Sequence, residues 1–147
     1  MFPEVWSYEL FETYAPSGWN LSKPLRYSTD YETYSGRKDY AETTAGGYYT
    51  VRLAVLEKLR ELKRQASVLA LRFITDDYTM PLGVFVTREA ARKAMSNKMI
   101  EFSSKELMLE YSRKLVKKYF NYDADFILKE SLLLKNMKQQ KKLVNFI

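Results

Sequence analysis

The pattern of apolar residues changes at Gly46 and Gly47, and this change constrains the fold more than any other feature of the chain. Before it, residues 1–45 are rich in Tyr, Trp, Ser and Thr and contain three of the four prolines, which predicts irregular chain and short strands. After it, apolar residues recur at helical spacing over residues 48–64, which predicts a helix. The two parts together indicate an α+β protein.

The rest of the sequence predicts the other elements of that fold. A short apolar run bounded by turn residues predicts a buried strand at Ser67–Ile74, and residues 4–11 predict a weaker one. Residues 76–81 are expected to form a loop, and the apolar residues 82–86 lead into a helix from Thr87 to about Asn97. A capping box at residues 103–106 predicts a further helix to about Phe120, and another helix is expected over about 123–138. We therefore predict a small mixed or antiparallel sheet, a predominantly helical C-terminal half and a short flexible C-terminal tail.

Composition excludes several kinds of chemistry. The chain of 147 residues contains no Cys and no His, which rules out structural zinc, thiol catalysis and the commonest general base. No cofactor is expected, and among metal sites only carboxylate ligands remain. The sequence has no signal peptide and no apolar run long enough to span a bilayer, so we expect a cytoplasmic protein that does not enter a membrane. The absence of Cys and the abundant Lys and Tyr suit a thermophilic source.

Positive charge is concentrated after residue 45. Residues 1–45 carry four basic and seven acidic side chains, whereas residues 46–147 carry twenty basic and eleven acidic ones, and the net charge is +6. This distribution fits binding to a polyanion or to an acidic protein surface, and a solvated helical surface explains it equally well.

The last eight residues form a compact motif. They read Gln-x-x-aliphatic-x-x-aromatic-apolar, with Gln140, Leu143, Phe146 and Ile147 at the defined positions. In a tight turn the apolar members form one small plug and the glutamine amide remains free to donate and accept hydrogen bonds. The pattern resembles the PIP box, by which replication and repair proteins bind the PCNA sliding clamp.

A series of further motifs extends over nearly the whole chain. The series resembles the C-terminal domain of the archaeal Nre family. Its members are Asp30-Tyr31-Glu32-x-Tyr34-x-Gly36-Arg37-Lys38-x-Tyr40-Ala41-Glu42, Gly46-Gly47-Tyr48-Tyr49-x-x-Arg52-Leu53-Ala54-Val55-Leu56-Glu57, Pro81-Leu82-Gly83-Val84-x-x-x-Arg88-Glu89-Ala90-x-Arg92 and Lys129-Glu130-Ser131-x-Leu133-Leu134.

The resemblance implies a role in the DNA-damage response and a C-terminal motif that binds PCNA. On this basis we divide the chain into an Nre C-terminal-like domain, residues 1–138, and a PCNA-interacting tail, residues 139–147. Two departures stand out: this sequence lacks the cysteine-containing N-terminal half of Nre proteins, and Ile147 replaces the usual second aromatic. Loss of a ring reduces contact area, so we expect weaker binding to the clamp.

Several basic residues are candidates for an anion- or nucleic-acid-binding site. Glycines at a helix start allow a phosphate to approach free backbone amides, and an Arg inside an apolar stripe or strand needs an anionic partner. For Arg52 an internal carboxylate is the favoured explanation, and for Arg72 an edge strand or a pairing with Glu57 explains the residue equally well. For Arg88 and Arg92 a solvated helix face is the alternative explanation. The candidates are Gly46, Gly47, Tyr48, Arg52, Arg72, Arg88 and Arg92.

Three functions remain open at this point. The first is a DNA-repair accessory protein recruited by PCNA, with the activity of its domain undefined. The second is a metal-dependent nuclease or phosphotransfer enzyme that uses Asp30, Glu32, Asp39 or Glu57. The third is a nucleic-acid-binding module that uses the basic second half of the chain. Bases could stack on Tyr27, Tyr31, Tyr34 and Tyr40, but packing of a loop-rich layer explains these rings better, because the nearby carboxylates would repel phosphates. The sequence leaves enzymatic activity and oligomeric state undecided.

Overall fold

The structure is a computed structural model that describes residues 1–14, 26–75 and 83–144, with side chains described as far as residue 139. The described elements are three strands and five helices. In chain order they are β1 (Ser7–Tyr14), β2 (Arg26–Glu32), α1 (Ala45–Leu62), β3 (Ser67–Ile74), α2 (Val84–Ser96), α3 (Lys105–Phe120), α4 (Asp125–Leu128) and α5 (Leu132–Val144).

The three strands form one mixed sheet with β1 in the centre. β1 pairs antiparallel with β2 and parallel with β3, so that Leu10 lies between Asp30 and Ala70. Successive side chains of a strand point to opposite faces of the sheet. The central strand therefore presents alternate residues to two separate hydrophobic cores.

The two cores lie on opposite faces of the sheet. The first contains Tyr8 and Leu10 of β1 and packs against α1; the second contains Phe11 and packs against the C-terminal helices. We call these two sides the α1 face and the α5 face. The buried members on the α1 face are Tyr8, Leu10, Ala41, Tyr48, Val55, Leu59, Ala66 and Val68, and those on the α5 face are Phe2, Phe11, Val116, Tyr122, Ala124, Ile127, Leu128, Leu133, Leu134 and Met137.

Helices α1 and α2 pack side by side in the same direction. Their first turns touch at Gly46, where an added Cβ would lie 2.6 Å from Cγ1 of Val84. Further along, Arg92 binds Glu57. Gly46 is thus required by helix packing, because a side chain would separate the two helix starts.

The predicted α+β fold is confirmed, including the strand Ser67–Ile74 and the helix that ends at Phe120. Three details differ. The apolar residues from Val84 onward already belong to α2. The cap of α3 is Ser104, which accepts from the amide of Leu107, so Glu106 lies one position too early to close the capping box.

The third difference is that the helix expected over 123–138 is two helices, α4 and α5, separated at Ser131. The α5 backbone continues to Val144, beyond the helix end expected at Lys138. The predicted loop 76–81 lies outside the described residues. Within the described residues, no helix is long and apolar enough to cross a lipid bilayer.

Candidate functional site

The start of α1, with its paired glycines, was the strongest sequence candidate for an anion site. In the structure an internal carboxylate, Asp30 of β2, lies just before this helix. Its Oδ2 accepts hydrogen bonds from the backbone amides of Thr43 and Thr44, at 3.1 and 2.7 Å, and from both threonine hydroxyls. A guanidinium nitrogen of Arg37 lies 3.4 Å from Oδ1. Burial alone would raise the pKa of Asp30, but these hydrogen bonds and Arg37 outweigh it and hold the pKa below its ordinary value.

Gly47 allows a second carboxylate to approach α1. A Cβ at this position would lie 2.1 Å from Oε1 of Glu12, so the glycine is needed for the close approach of the β1 side chain. The same oxygen of Glu12 binds Nη1 of Arg72 at 2.5 Å. The predicted close approach of an anion to Gly47 therefore occurs, and the anion is an internal glutamate.

A third carboxylate, Glu32 at the end of β2, binds Arg52. The Nε of Arg52 lies 3.0 and 3.1 Å from the two oxygens of Glu32, and Nη2 lies 2.9 Å from Oε1. The indole Nε1 of Trp6 donates to Oε1 at 2.7 Å, and the hydroxyl of Tyr48 donates to Oε2 at 2.9 Å. Both oxygens of this buried carboxylate are therefore fully used by the side chains around it.

Tyr48 is closed to ligands by its position. Its side chain is fully buried, and its ring contacts Tyr8 and Tyr49 at centroid distances of 4.9 and 5.2 Å. Burial, together with the hydrogen bond to Glu32, raises the pKa of the Tyr48 hydroxyl, and burial raises that of Tyr8. The ring thus packs the α1 face.

The arginines of α2 lie on its solvent side, as the sequence indicated. Arg92 binds Glu57 of α1 with two nitrogens, at 3.0 and 2.7 Å, and Arg88 lies 3.1 Å from Glu89. Glu57 therefore pairs with Arg92, and Arg72 pairs with Glu12 instead of Glu57. The structure brings five of the seven candidates, from Gly46 to Arg72, to the α1 face and leaves Arg88 and Arg92 on the surface of α2.

The other sequence candidates are dispersed. Asp30, Glu32 and Glu57 each bind different partners, and no group of three potential metal-ligating side chains occurs among the residues that the structure describes. Tyr27 packs against Phe11 and Phe126, and the hydroxyl of Tyr31 accepts from the amide of Asn136. Tyr34 and Tyr40 are exposed.

The α5 face holds a fourth carboxylate, Glu9, at the start of α5. The hydroxyl of Ser131 donates to Oε2 at 2.5 Å, and the amides of Leu132 and Leu133 donate to the two oxygens at 2.9 and 3.1 Å. The Ser131 oxygen also accepts from the amide of Leu134, so Ser131 caps α5. Burial raises the pKa of Glu9 despite these three donors.

This junction positions the helix that leads to the C-terminal motif. Leu133, Leu134 and Met137 of α5 are buried in the second core, whereas Lys138 and Gln139 are exposed. Among the side chains that the structure describes, α5 is therefore anchored to the domain by its first turns. The side chains of Gln140, Leu143, Phe146 and Ile147 lie outside the described residues.

Sequence reasoning missed Glu9 and Glu12 and treated Asp30 and Glu32 only as metal or repulsive groups. A usable signal exists in β1, where Glu9 and Glu12 interrupt an otherwise apolar and aromatic run. Acidic residues inside a central strand need partners, and the Arg residues within apolar segments needed the same. Matching the acidic residues of β1 with the Arg residues of the apolar segments would have indicated ion pairs inside the domain.

Comparisons with known proteins place the chain. The model of the archaeal Nre C-terminal family matches residues 32–146. The DNA repair protein NreB of Archaeoglobus fulgidus is 36% identical over 139 residues, which cover 94% of this chain and 34% of that protein. The DNA repair protein NreA of Haloferax volcanii is 42% identical over 102 residues, covering 67% of this chain and 24% of that protein.

The chain thus spans about one third of the length of the curated NreB relative and about one quarter of NreA. No solved structure matches it. The family match covers most of the chain and includes Glu32 at the end of β2, the α1 start with its paired glycines, α2 and the Ser131 cap of α5. The chain belongs to the archaeal Nre family and corresponds to its C-terminal region.

Proposed function

We propose that this domain acts in DNA repair as an accessory module, recruited to the PCNA sliding clamp by its C-terminal motif. The relatives NreA and NreB are named as DNA repair proteins, which supports the pathway. The motif of Gln140, Leu143, Phe146 and Ile147 supports the partner, because it has the spacing of a clamp-binding box.

The observation that carries the proposal is the motif itself, which the sequence places at and beyond the end of α5. This helix is anchored to the sheet through Glu9 and Ser131, and after Met137 its described side chains are exposed. Among the described side chains, those that hold α5 to the domain lie before the motif in the sequence. Lys138, Lys141 and Lys142 add positive charge beside the motif, which favours association with an acidic surface.

The test is binding to an archaeal PCNA by isothermal titration calorimetry. We expect the double variant Leu143→Ala/Phe146→Ala to bind at least about 30-fold more weakly, since buried apolar anchors dominate such interfaces. Val144→Ala is the matched control: it removes apolar atoms at a position between the anchors, and we expect a change below about 3-fold.

The unfolding midpoint of each variant should stay close to that of the parent. A chain that ends at Gln139 and still binds PCNA would refute the proposal. Loss of binding only in variants with a lowered midpoint would assign the effect to the fold instead of the motif.

The described cations of the α1 face do not favour an additional nucleic-acid cavity there. Arg52 and Arg72 each bind an internal glutamate, and Arg92 binds Glu57. The proposal therefore assigns the α1 face to stability and assigns recruitment to the end of α5.

A further inference from the structure

The outer edge of β3 has an incomplete pattern of backbone hydrogen bonds. At the start of this strand Ser67 exchanges two bonds with Phe2: the amide of Phe2 donates to the Ser67 carbonyl at 2.8 Å, and the amide of Ser67 donates to the Phe2 carbonyl at 3.0 Å. Because backbone groups of a strand alternate in direction, the amides and carbonyls of Leu69, Leu71 and Phe73 point to the same side as those of Ser67.

No described residue pairs with this edge beyond Ser67. In the described ranges the bridge between Phe2 and Ser67 is the sole backbone pairing on the outer side of β3, and residues 69–74 are all partly exposed. The single charged side chain of the strand, Arg72, is bound to Glu12. The edge is therefore long, apolar and without an outward charge.

The opposite edge of the sheet is built differently. β2 begins with the exposed Arg26, and the hydroxyl of Thr43 donates to the backbone carbonyl of Thr29, so that the segment before α1 covers part of this edge. Sheet edges that remain exposed in proteins are normally protected by charges, prolines or a covering loop. β2 has such protection, whereas the described residues give β3 none.

A cavity of about 360 Å³ lies between β3 and α2. On the helix side its wall is made by Ala90, Ala91 and Ala94, whose small side chains leave the space open. Ala70 and Met1 also line it. The cavity can accept apolar side chains that project from a strand placed beside β3.

We propose that the outer edge of β3 binds an extended apolar polypeptide segment as a fourth strand, antiparallel to β3 and in register with Phe2. The antiparallel pairing of Phe2 with Ser67 fixes both direction and register: a strand that continues this ladder runs from the Ile74 end of β3 towards Ser67. Alternate side chains of the segment fill the cavity beside α2, and the others cover Leu71 and Phe73 on the α5 face.

The comparisons indicate where such a segment comes from. The matched region is about one third of the NreB relative, and the family model describes the C-terminal part of Nre proteins. A segment that precedes this region and continues the pairing of Phe2 with Ser67 would lie along the outer edge of β3. The occupant we assign is the Nre polypeptide segment that precedes this region.

The first test is amide hydrogen exchange of the chain as it is, measured by NMR. We expect Leu69, Leu71 and Phe73 to exchange at least about 10-fold faster than Val68, Ala70 and Arg72, whose amides face β1. Equal, slow exchange in both sets would overturn the proposal, because the edge would already be covered.

The second test adds six residues before Met1. One extension alternates Val and Thr; its control has Pro at the first, third and fifth residues before Met1, whose amides would face β3. We expect the Val/Thr extension to slow exchange at Leu69, Leu71 and Phe73 by at least about 10-fold and the proline version to leave it unchanged. Equal behaviour of the two extensions would refute strand addition.

A third extension identifies the occupant. It carries the six residues that precede the matched region in the Archaeoglobus fulgidus NreB relative. Equally slowed exchange at Leu69, Leu71 and Phe73 supports the assigned occupant. Slowed exchange with the Val/Thr extension but not with the NreB extension refutes it. Protection of the unextended chain that grows with protein concentration would show that a second copy occupies the edge, which also refutes it.

Discussion

The two faces of the central strand satisfy buried carboxylates in different ways. On the α1 face, Glu12 and Glu32 bind Arg72 and Arg52 directly, and Asp30 combines Arg37 with four hydrogen bonds. On the α5 face, Glu9 accepts three hydrogen bonds from uncharged donors at the start of a helix.

The pKa directions of two of these groups show the consequence. Burial dominates at Glu9 and raises its pKa, whereas hydrogen bonds and Arg37 outweigh burial at Asp30 and lower its pKa. The charged form of a buried carboxylate is therefore favoured only where a cation or enough hydrogen-bond donors compensate for the loss of water. Three substitutions or titrations test this difference between the faces, from the largest effect to the smallest.

Glu32→Ala should cause the largest loss of stability. It leaves Arg52 without its carboxylate and removes the acceptor of Trp6 and Tyr48, so we expect the free energy of unfolding to fall by about 3 kcal/mol. Urea denaturation followed by circular dichroism measures the change.

The matched control is Glu57→Ala, which breaks an ion pair between exposed side chains of α1 and α2. We expect a much smaller loss there, because solvent already screens the pair. Equal losses from the two substitutions would mean that the Glu32 network does not hold the α1 face together.

Ser131→Ala should act on the other face with an intermediate effect. It removes the cap of α5 and one donor to Glu9, and we expect a loss of about 1–2 kcal/mol. Ser112→Ala is the control, since the Ser112 hydroxyl binds only the Met108 carbonyl within α3. A loss no larger than that of the control would show that Glu9 and Ser131 do not anchor α5.

The smallest effect is the pH dependence, and its sign differs between the faces. Glu9 has a folded pKa above its ordinary value of 4.5, so its protonation favours the folded state and its contribution to stability falls as the pH rises from 4.5 through the folded pKa. Asp30 has a folded pKa below its ordinary value of 3.8, so its contribution is present above 3.8 and is lost as the pH falls below it.

Stability measured against pH for the parent, Glu9→Gln and Asp30→Asn separates the two contributions. The difference between the parent and Glu9→Gln should become less favourable to the parent as the pH rises above 4.5. The difference in stability between the parent and Asp30→Asn should become less favourable to the parent as the pH falls below 3.8. If the two stability differences changed with pH in the same direction, the contrast between the α1 face and the α5 face would be contradicted.

Local sequence patterns were sufficient for those elements whose partners are apolar. β3 was predicted with its observed limits from a short apolar run between turn residues. The expectation that this strand is buried was wrong, because β3 lies at an edge of the sheet and residues 69–74 are partly exposed. β2 was not predicted, since Asp30 and Glu32 make it look polar. Their partners lie in other elements, and a periodicity of apolar residues does not include such pairs.

The candidate site was predicted in its residues but not in its pairing. Arg52 and Arg72 were identified as needing anions, and the structure supplies them with glutamates 20 and 60 residues away in the sequence. Similarly, the break at Ser131 depends on Glu9, which lies 122 residues earlier. Such separations are decided by the topology of the sheet, which one sequence does not reveal.

The contact between Glu9 and Ser131 also orders events during synthesis. Glu9 leaves the ribosome 122 residues before Ser131, which at about 5–20 residues per second corresponds to roughly 6–24 seconds. Throughout that interval the central strand has no C-terminal helix on one of its faces. Helix α5 therefore docks last, and the α5 face is completed only after Ser131 and the residues that follow it have been synthesised.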